Sequence, residues 1–386
     1  GMTYGPGSRI GILGSGQLGR MLAMSAKRLG YQVHIYSPEA DTPAGQVADA
    51  EIVADYLDLE VLKRFAAQVD VVTIEFENIP AEALKVLETL VPVYPQPHVL
   101  ETTQHRLREK TFLSGLGVPV VPFQAVHSLA DLEGGMRKIG LPLVLKTAGF
   151  GYDGKGQAKI TRPEEAEPAY QALGEQVCIL EQFINLDREI SVIAARGADG
   201  EFKAYRPVEN RHHNHILDMT LAPAAVSSSM EQTALNITRK IMEALNMRGL
   251  LCVEFFVTEE GYLLVNELAP RTHNSGHYSI EAAVCSQFEQ QLRAVCGLPL
   301  GDTSLRQPAA MANLLGDVWQ DGEPDWAGCL TLSPVYLHLY GKKEAKPGRK
   351  MGHITALGST PQQAEALAAR ARHCLQVKKP EPLLPG

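Results

Sequence analysis

Long apolar runs are missing from this sequence of 386 residues. No run approaches the roughly 18 consecutive apolar residues that a membrane-spanning helix requires, so we expect no membrane partner. The polar N-terminal segment GMTYGPGSR leads directly into a strand pattern and is unlike a secretory signal peptide. These features predict a cytoplasmic protein.

Cysteine is sparse and shows no ligand-like spacing. No Cys-x-x-Cys pair occurs, and most cysteines lie within apolar segments. Disulfide frameworks and zinc sites need patterned cysteines, so we predict buried free thiols in a reducing cytoplasm. The six positions are Cys178, Cys252, Cys285, Cys296, Cys329 and Cys374.

An excess of positive charge is also absent, since the formal net charge is −8. This balance argues against non-specific binding to nucleic acid. It does not exclude a nucleotide ligand, because a pocket can be locally basic in an acidic protein. The apolar content of 45% and charged content of 21% are typical of globular proteins, and the length allows two or three domains.

Strand and helix patterns alternate along residues 8–95, which predicts a doubly wound parallel sheet. The predicted strands are 8–14, 32–36, 69–77 and 91–95, and the predicted helices are 17–29, 57–68 and 80–90. Farther along the chain we predict a helix at 103–116, a helix that begins near Ser128 with that hydroxyl as its cap, and a helix at 278–296.

A glycine-rich turn follows the first predicted strand. It reads Gly14-Ser15-Gly16-Gln17-Leu18-Gly19, and Glu39 lies 20 residues farther on, where dinucleotide-binding folds place an acid for the ribose. Taken alone, this region favours an NAD-dependent oxidoreductase. The motif predicts a turn that approaches an anion, but it does not identify the ligand.

A second glycine-rich segment lies within a small α/β unit at 118–184. Segment 149–157 contains four glycines and Lys155, so its backbone amides could surround phosphates. Asp153-Gly154 is also a strong hairpin-turn signal, and both interpretations hold if the hairpin acts as a lid. Lys146 ends the apolar strand before this loop and, if buried, needs an anion such as a nucleotide phosphate.

A hairpin at 250–278 places one carboxylate in each of two apolar strands, Glu254 and Glu267. If Val257 pairs with Tyr262, Glu267 lies diagonally from Glu254 on the same face. Carboxylates so placed could share a divalent cation, and Mg²⁺ suits oxygen ligands completed by substrate phosphates. Two solvated glutamates remain the alternative, and a one-residue slip in register would separate them.

Two further clusters suggest ligands. The three histidines within 212–215 could hold a metal, although no neighbouring carboxylate or cysteine completes a ligand set. Segment 341–353 concentrates cations among Gly and Pro, which in an acidic chain suggests an anionic ligand such as a phosphate. An exposed basic turn is the alternative.

In this order, these segments resemble the ATP-grasp superfamily and, within it, the N5-carboxyaminoimidazole ribonucleotide synthetase family. The resemblance covers about residues 8–375. It depends on GSGQLGRM (14–21), EFENIP (75–80), GYDGKGQ (151–157), EQFI (181–184), NELAPRTHNSGH (266–277) and GRKMGHIT (348–355).

The resemblance implies an α/β ATP-grasp fold in three parts. They are a Rossmann-like pre-ATP-grasp domain at 1–103, a linker helix and small lid domain at 104–184, and an ATP-binding domain at 185–386 that carries the basic loop and a C-terminal tail.

Site residues follow from the resemblance, motif by motif. The implied magnesium ligands are Glu254 and Glu267, and the residues implied for bicarbonate and carboxyphosphate are Arg271 and Asn274. The residues implied for ATP are Arg106, Lys146, Gly151, Tyr152, Asp153, Gly154, Lys155, Gly156, Gln157, Glu181, Gln182, Phe183, Ile184, Glu189, His212, Asn266 and Glu267. The residues implied for aminoimidazole ribonucleotide are Gln17, Leu18, Glu75, Tyr152, Asp153, Lys342, Arg349 and Lys350.

The implied activity is ATP-dependent carboxylation of 5-aminoimidazole ribonucleotide with bicarbonate, through carboxyphosphate, in purine synthesis. Asp153, Arg271 and Asn274 are the implied catalytic residues, with Asp153 accepting the proton of the substrate amine. The implied ligands are ATP, Mg²⁺, bicarbonate and the ribonucleotide, and the implied assembly is a homodimer. Two departures from the family pattern are Ala148, where an Arg is common, and Lys346, where another Arg is common.

Three alternatives stay open on the sequence. A formate-dependent glycinamide ribonucleotide transformylase shares the fold and the acyl phosphate logic. An NAD-dependent oxidoreductase would explain the first glycine motif but leaves the carboxylate pair, the lid loop and the basic loop unexplained. A non-catalytic nucleotide-binding regulator would not need the carboxylates or the lid lysine.

Overall fold

Three β-sheets organise the chain in the computed structural model, which describes residues 2–149, 156–376 and 384–385. They have four, four and nine strands in sequence order along the chain. None of the described helices is both long and apolar enough to cross a membrane.

The N-terminal sheet is parallel, as the alternating pattern predicted, and its strand order is β3-β2-β1-β4. Its elements are β1 (Arg9–Leu13), α1 (Gln17–Arg28), β2 (Gln32–Ser37), β3 (Ala50–Val53), α2 (Leu59–Ala67), β4 (Val71–Ile74) and α3 (Ala81–Glu88). One predicted strand was wrong, and one strand was not predicted. Strand β3 was missed because its residues alternate between half-buried and exposed, and segment 91–95 forms only a bridge from Val93 to Val72.

Two helices connect this sheet to the next, α4 (Pro97–Thr103) and α5 (Arg106–Leu116). One helix from 103 to 116 was predicted. The helical conformation is interrupted at His105, whose backbone is extended. Its ring accepts a hydrogen bond from the amide of Arg108 and caps α5. Gln104 donates to the carbonyl oxygens of Glu77 and Ile79 at 2.8 and 2.7 Å. These hydrogen bonds connect the segment between α4 and α5 to the residues that follow β4.

The small sheet is antiparallel with order β5-β8-β6-β7. Its elements are β5 (Phe123–Val126), α6 (Leu129–Ile139), β6 (Leu143–Thr147), β7 (Gln157–Ile160), α7 (Ala166–Ala172) and β8 (Cys178–Gln182). The predicted cap is confirmed, since the Ser128 side chain accepts from the amide of Asp131.

The large sheet has the order β14-β13-β9-β11-β12-β15-β17-β16, with β10 beside β9. Its strands are β9 (Leu186–Arg196), β10 (Phe202–Ala204), β11 (Val208–His213), β12 (Ile216–Ala222), β13 (Gly249–Thr258), β14 (Leu263–Ala269), β15 (Ala309–Leu315), β16 (Val335–Leu339) and β17 (Lys350–Leu357). The accompanying helices are α8 (Ser228–Ala244), α9 (Ser279–Ala282), α10 (Gln287–Cys296), α11 (Trp326–Leu330) and α12 (Pro361–His373). The largest core cluster packs α8 against β9 and β13.

The predicted helix at 278–296 is two helices, α9 and α10. Between them Val284 and Cys285 donate backbone hydrogen bonds to the carbonyl oxygens of Ser304 and Asp302. Ser286 then caps α10 by accepting from the amide of Glu289. The sequence pattern at 278–296 is helical throughout. Backbone pairing with residues 302–304 interrupts the helix between α9 and α10.

Candidate active site

The carboxylate pair depends on a β-bulge that the sequence did not reveal. The predicted pairing of Val257 with Tyr262 was wrong, because Val257 pairs with Leu263. A β-bulge leaves Asn266 with no residue of β13 opposite it, so Glu254 lies directly opposite Glu267 rather than diagonal to it. The one-residue change in register would by itself place Glu254 and Glu267 on opposite faces of the sheet. The bulge adds one residue to β14 and returns both carboxylates to the same face.

The two carboxylates interact strongly. Burial and the charge of Glu254 raise the pKa of Glu267. Burial would also raise the pKa of Glu254, but its hydrogen bond with His273 and the positive charge of that ring hold it below the usual range. Like charges this close favour retention of one proton by the pair. A divalent cation would replace that proton, so the donor set fits a hard, oxygen-preferring ion.

A buried polar network supports this pair from behind. His273 lies 3.4 Å from Glu254 through Nε2 and 2.7 Å from the Ser275 hydroxyl through Nδ1. That hydroxyl is 2.9 Å from the Ser191 hydroxyl, which accepts from Asn210 at 3.0 Å. Because each group has a partner, the network fixes the His273 ring against Glu254. His273 lies within the motif at 266–277, but no role was predicted for it from the sequence.

A cavity of about 570 Å³ lies between the small sheet and the large sheet. Eleven residues predicted for ATP line it: Arg106, Lys146, Gln157, Glu181, Gln182, Phe183, Ile184, Glu189, His212, Asn266 and Glu267. They come from both sheets and from α5, so only the tertiary fold brings them together. We name this the nucleotide cavity.

Lys146 already has an anionic partner within the nucleotide cavity. Its ammonium lies 2.6 Å from Glu181, and the same carboxylate lies 3.6 Å from Lys110. The charges of these lysines outweigh burial and lower the pKa of Glu181. The carboxylate of Glu181 is therefore engaged by two lysines, a contact that the sequence did not predict.

A second cavity, of about 540 Å³, adjoins the first. It is lined by five residues predicted for the ribonucleotide, namely Gln17, Leu18, Glu75, Lys342 and Lys350, and by Arg271 and Asn274. Glu254 also lines this cavity, whereas Glu267 lines the nucleotide cavity. His212 and His215 line both. We name this the substrate cavity, and the carboxylate pair marks its junction with the nucleotide cavity.

Arg349 is not brought into the lining of the substrate cavity. It precedes the first residue of β17 and is exposed, and its guanidinium donates to the carbonyl oxygen of Glu344 at 2.8 Å. Strand alternation therefore turns Lys350, but not Arg349, toward the cavity.

Arg271 and Asn274 are each held by a partner. The Arg271 guanidinium donates to the carboxylate of Glu77 and, at 3.0 Å, to the carbonyl oxygen of Thr272. The side-chain amides of Asn274 and Asn313 exchange hydrogen bonds of 3.0 and 2.7 Å. Both side chains thus reach the substrate cavity in fixed orientations.

Comparison with known proteins identifies the family. Three family models match: the ribonucleotide synthetase preATP-grasp domain at 8–104, the ATP-grasp domain at 111–288, and the phosphoribosylaminoimidazole carboxylase C-terminal domain at 309–367. The N5-carboxyaminoimidazole ribonucleotide synthase of Bacillus subtilis is 46% identical over 350 residues, which is 91% of both chains. The chain belongs to the N5-carboxyaminoimidazole ribonucleotide synthase family.

Solved structures of the family agree with this assignment. The synthetase from Thermus thermophilus is 46% identical, with a TM-score of 0.88 over 97% of this chain and 100% of that chain. The synthase from Aspergillus clavatus in complex with ADP and 5-aminoimidazole ribonucleotide is 32% identical, with a TM-score of 0.87 over 96% and 98%. The predicted ATP-grasp fold is therefore confirmed, whereas the exact domain boundaries stay a prediction.

The first glycine turn holds an internal anion. Burial raises the pKa of Glu75 above its usual value, and hydrogen bonds from the backbone amides of Gly19 and Gly16 offset this only in part. A Cβ on Gly16 would lie 2.4 Å from the Glu75 carboxylate, so the turn is fitted to this side chain. In this chain the G-x-G-x-x-G motif thus positions Glu75 at the substrate cavity, and Glu39 is an exposed residue.

Glu109 and Lys110 line the nucleotide cavity but were not predicted as site residues. Both are 3% exposed. Lys110 donates to the carbonyl oxygen of Asn266, and Glu109 accepts from the amide of Leu268 at 3.3 Å. Their spacing could have predicted this position. Glu109 and Lys110 lie three and four residues after Arg106, so a helix places all three on one side.

Several predicted residues lie outside the described part of the chain, namely Gly151, Tyr152, Asp153, Gly154 and Lys155. Gly156 accepts a backbone hydrogen bond from Thr147 but is not part of the cavity lining.

The two departures from the family pattern, Ala148 and Lys346, lie outside the carboxylate pair. Ala148 is fully buried, and its carbonyl oxygen accepts from the amide of Arg106 at 2.7 Å. Lys346 is exposed and pairs with Glu344 at 3.2 Å, so neither departure alters the carboxylate pair.

Proposed function

We propose that this chain carboxylates 5-aminoimidazole ribonucleotide with bicarbonate and ATP, giving N5-carboxyaminoimidazole ribonucleotide, ADP and phosphate in purine biosynthesis. Family membership supports the reaction. The observation that carries the assignment of the site is the meeting of two adjoining cavities at Glu254 and Glu267.

ATP would occupy the nucleotide cavity. The small sheet contributes the cation Lys146 and the segment Glu181–Ile184, while the large sheet contributes Glu189 and Asn266. Because Lys146 already pairs with Glu181, phosphate oxygens would join an existing charged cluster rather than create one. Glu189 contacts His212 at 2.7 Å and would lie near the ribose.

Glu254 and Glu267 would hold Mg²⁺, which when bound neutralises charge on the ATP phosphates. The fit rests on two carboxylates that face each other and favour a shared proton in its absence. His273 would keep Glu254 oriented, and Lys146 would add positive charge on the nucleotide side.

Bicarbonate is a weak nucleophile and a poor electrophile, so it needs activation. An oxygen of bicarbonate would bond to the γ-phosphorus as the bond from that phosphorus to ADP breaks, with the electron pair leaving on ADP. Arg271 and Asn274 would orient bicarbonate on the substrate side of the junction. The resulting carboxyphosphate would transfer its carboxyl group to the amine of the ribonucleotide, as the bond between the carboxyl carbon and the phosphate oxygen breaks and phosphate leaves.

The ribonucleotide would occupy the substrate cavity, with its phosphate near Lys342 and Lys350 and its ring near Glu75. We assign proton acceptance from the amine to Asp153 on the family resemblance alone. Asp153→Asn should then stop carboxylation and leave ATP affinity unchanged. We further propose a cytoplasmic homodimer.

The direct test is ADP formation from MgATP and bicarbonate, measured with and without aminoimidazole ribonucleotide. We expect strong stimulation by the ribonucleotide and dependence on bicarbonate. Stimulation by formate and glycinamide ribonucleotide instead would support the transformylase alternative, and absence of ADP formation under both conditions would refute a catalytic role.

Lys342 predicts a pH dependence of ribonucleotide binding. Burial, with Arg349 and Lys350 nearby, lowers the pKa of Lys342 to about 8. The side chain is charged below that pH and neutral above it, so its attraction for a phosphate weakens as pH rises past 8. We expect the KM for the ribonucleotide to rise above pH 8 while the KM for ATP does not follow. A KM profile in Lys342→Met with the same inflection would contradict this origin.

Gln291 predicts an effect confined to the ribonucleotide. Its side chain is fully buried, donates to Thr73 at 2.9 Å, and accepts from the amide of Thr272 at 3.2 Å. It therefore joins the strand that precedes Glu75 to the loop that follows Arg271.

We expect Gln291→Leu to raise the KM for the ribonucleotide about tenfold, because the buried partners it leaves unpaired cost about 1–3 kcal/mol and loosen both loops. The neighbouring Gln290→Leu is the matched control, since Gln290 is equally buried but bonds to Gly301. The KM for ATP is measured in both variants for comparison. Equal KM values for the ribonucleotide in the two variants would contradict the role of Gln291 in positioning these two segments.

A further inference from the structure

A histidine occupies a backbone position that favours glycine at the tip of the β11–β12 hairpin. His213 pairs with Ile216, which leaves Asn214 and His215 as a two-residue turn. Their φ angles are +50° and +65°. Two positive φ angles are the pattern of a type I′ turn, whose second position is most often Gly. His215 therefore carries a backbone penalty that glycine would avoid.

This turn lies where the two cavities meet. His215 lines both the nucleotide cavity and the substrate cavity, and it is an exposed residue. Glu254 lines one cavity and Glu267 the other. A group that passes from one cavity to the other must cross the region that these residues share.

The neighbouring histidines differ from His215. His212 also lines both cavities, but its Nδ1 atom lies 2.7 Å from the Glu189 carboxylate. His213 lines neither cavity. Among the described residues, none forms a hydrogen bond or ion pair with the His215 side chain. Its imidazole is thus available to a ligand, at the cost of a strained turn.

We propose that His215 is a catalytic residue that donates a hydrogen bond to the transferred phosphoryl group at the junction of the cavities. The proposal rests on the proposed function and adds a residue to it. In the step it assists, the γ-phosphorus gains a bond to a bicarbonate oxygen and loses its bond to the ADP oxygen, which keeps the electron pair. His215 gives up no proton, and its N–H offsets charge on the phosphoryl oxygens.

Replacing His215 by glycine provides a test that does not endanger folding. Glycine adopts positive φ freely, so His215→Gly should unfold at the same or a higher midpoint temperature than the wild-type protein. We expect kcat for ribonucleotide-dependent ADP formation to fall at least tenfold, with the KM for ATP within twofold of wild type. His215→Asn keeps an N–H donor and tolerates positive φ, so it should recover at least threefold over the glycine variant. His213→Ala is the control for loss of a neighbouring imidazole and should retain wild-type kcat.

The outcomes separate the two levels of the proposal. Absence of bicarbonate- and ribonucleotide-dependent ADP formation in the wild-type protein would overturn the proposed function itself. A wild-type protein that turns over, with His215→Gly at the same rate, would overturn only the role of His215. Equal low rates in the glycine and asparagine variants would also overturn it, because the loss would then not follow the donor.

Discussion

Glu267→Gln is expected to lower ribonucleotide-dependent ADP formation by at least 10²–10³-fold, about the effect of removing one electrostatic contact to a transition state. The substitution removes one of two carboxylates that face each other across β13 and β14. A neutral amide cannot supply the charge that an oxygen-liganded cation requires. The measurement is kcat at saturating ATP, bicarbonate, ribonucleotide and Mg²⁺.

Stability distinguishes a lost function from a lost fold in this variant. Because Glu254 and Glu267 repel each other, glutamine at 267 should leave the unfolding midpoint unchanged or raise it. Glu260→Gln makes the same chemical change in the exposed turn of the same hairpin and should retain full activity. Activity of Glu267→Gln within threefold of wild type would refute the assignment of the carboxylate pair.

Arg271→Lys is expected to lower kcat about 10²-fold, because lysine lacks the planar fork that binds two partners at once. The guanidinium contacts both Glu77 and the carbonyl oxygen of Thr272 while lining the substrate cavity. A lysine ammonium that pairs with Glu77 would leave bicarbonate without an oriented donor. The KM for bicarbonate should rise, and the KM for ATP should not.

Arg293→Lys is the matched control for this substitution. Arg293 lies on α10, pairs with Glu289 at 2.9 Å, and is part of neither cavity. A lysine there preserves a partly exposed ion pair of small energetic value, about 0–1 kcal/mol. If Arg271→Lys and Arg293→Lys have the same bicarbonate KM, Arg271 does not orient bicarbonate.

Local sequence signals identified most elements and the cap at Ser128, but they failed where residues distant in the sequence form the deciding contacts. Ser128 was predicted as a cap from its own neighbourhood, and the structure confirms it. The break between α9 and α10 was not predicted, because it depends on pairing with residues 302–304. The helix break at His105 likewise depends on the exit of β4.

The glycine-rich turn shows the limit of a motif. The sequence correctly predicted a strand, a turn and a helix with amides directed at an anion. The anion is supplied by Glu75, which lies 56 residues beyond Gly19 and reaches the turn because β4 pairs with β1. Spacing along the chain cannot reveal such a partner.

The sequence by itself determined the family, the fold class and most residue identities at the two cavities, because those depend on ordered motifs and on periodicities of two and 3.6 residues. Only the tertiary structure decided that Glu254 and Glu267 face each other, since a bulge at Asn266 compensates for the slipped register. It also decided that Lys146 meets Glu181 and that His215 joins both cavities. These contacts arise between strands and helices far apart in sequence, where packing and hydrogen bonding, not local preference, fix the geometry.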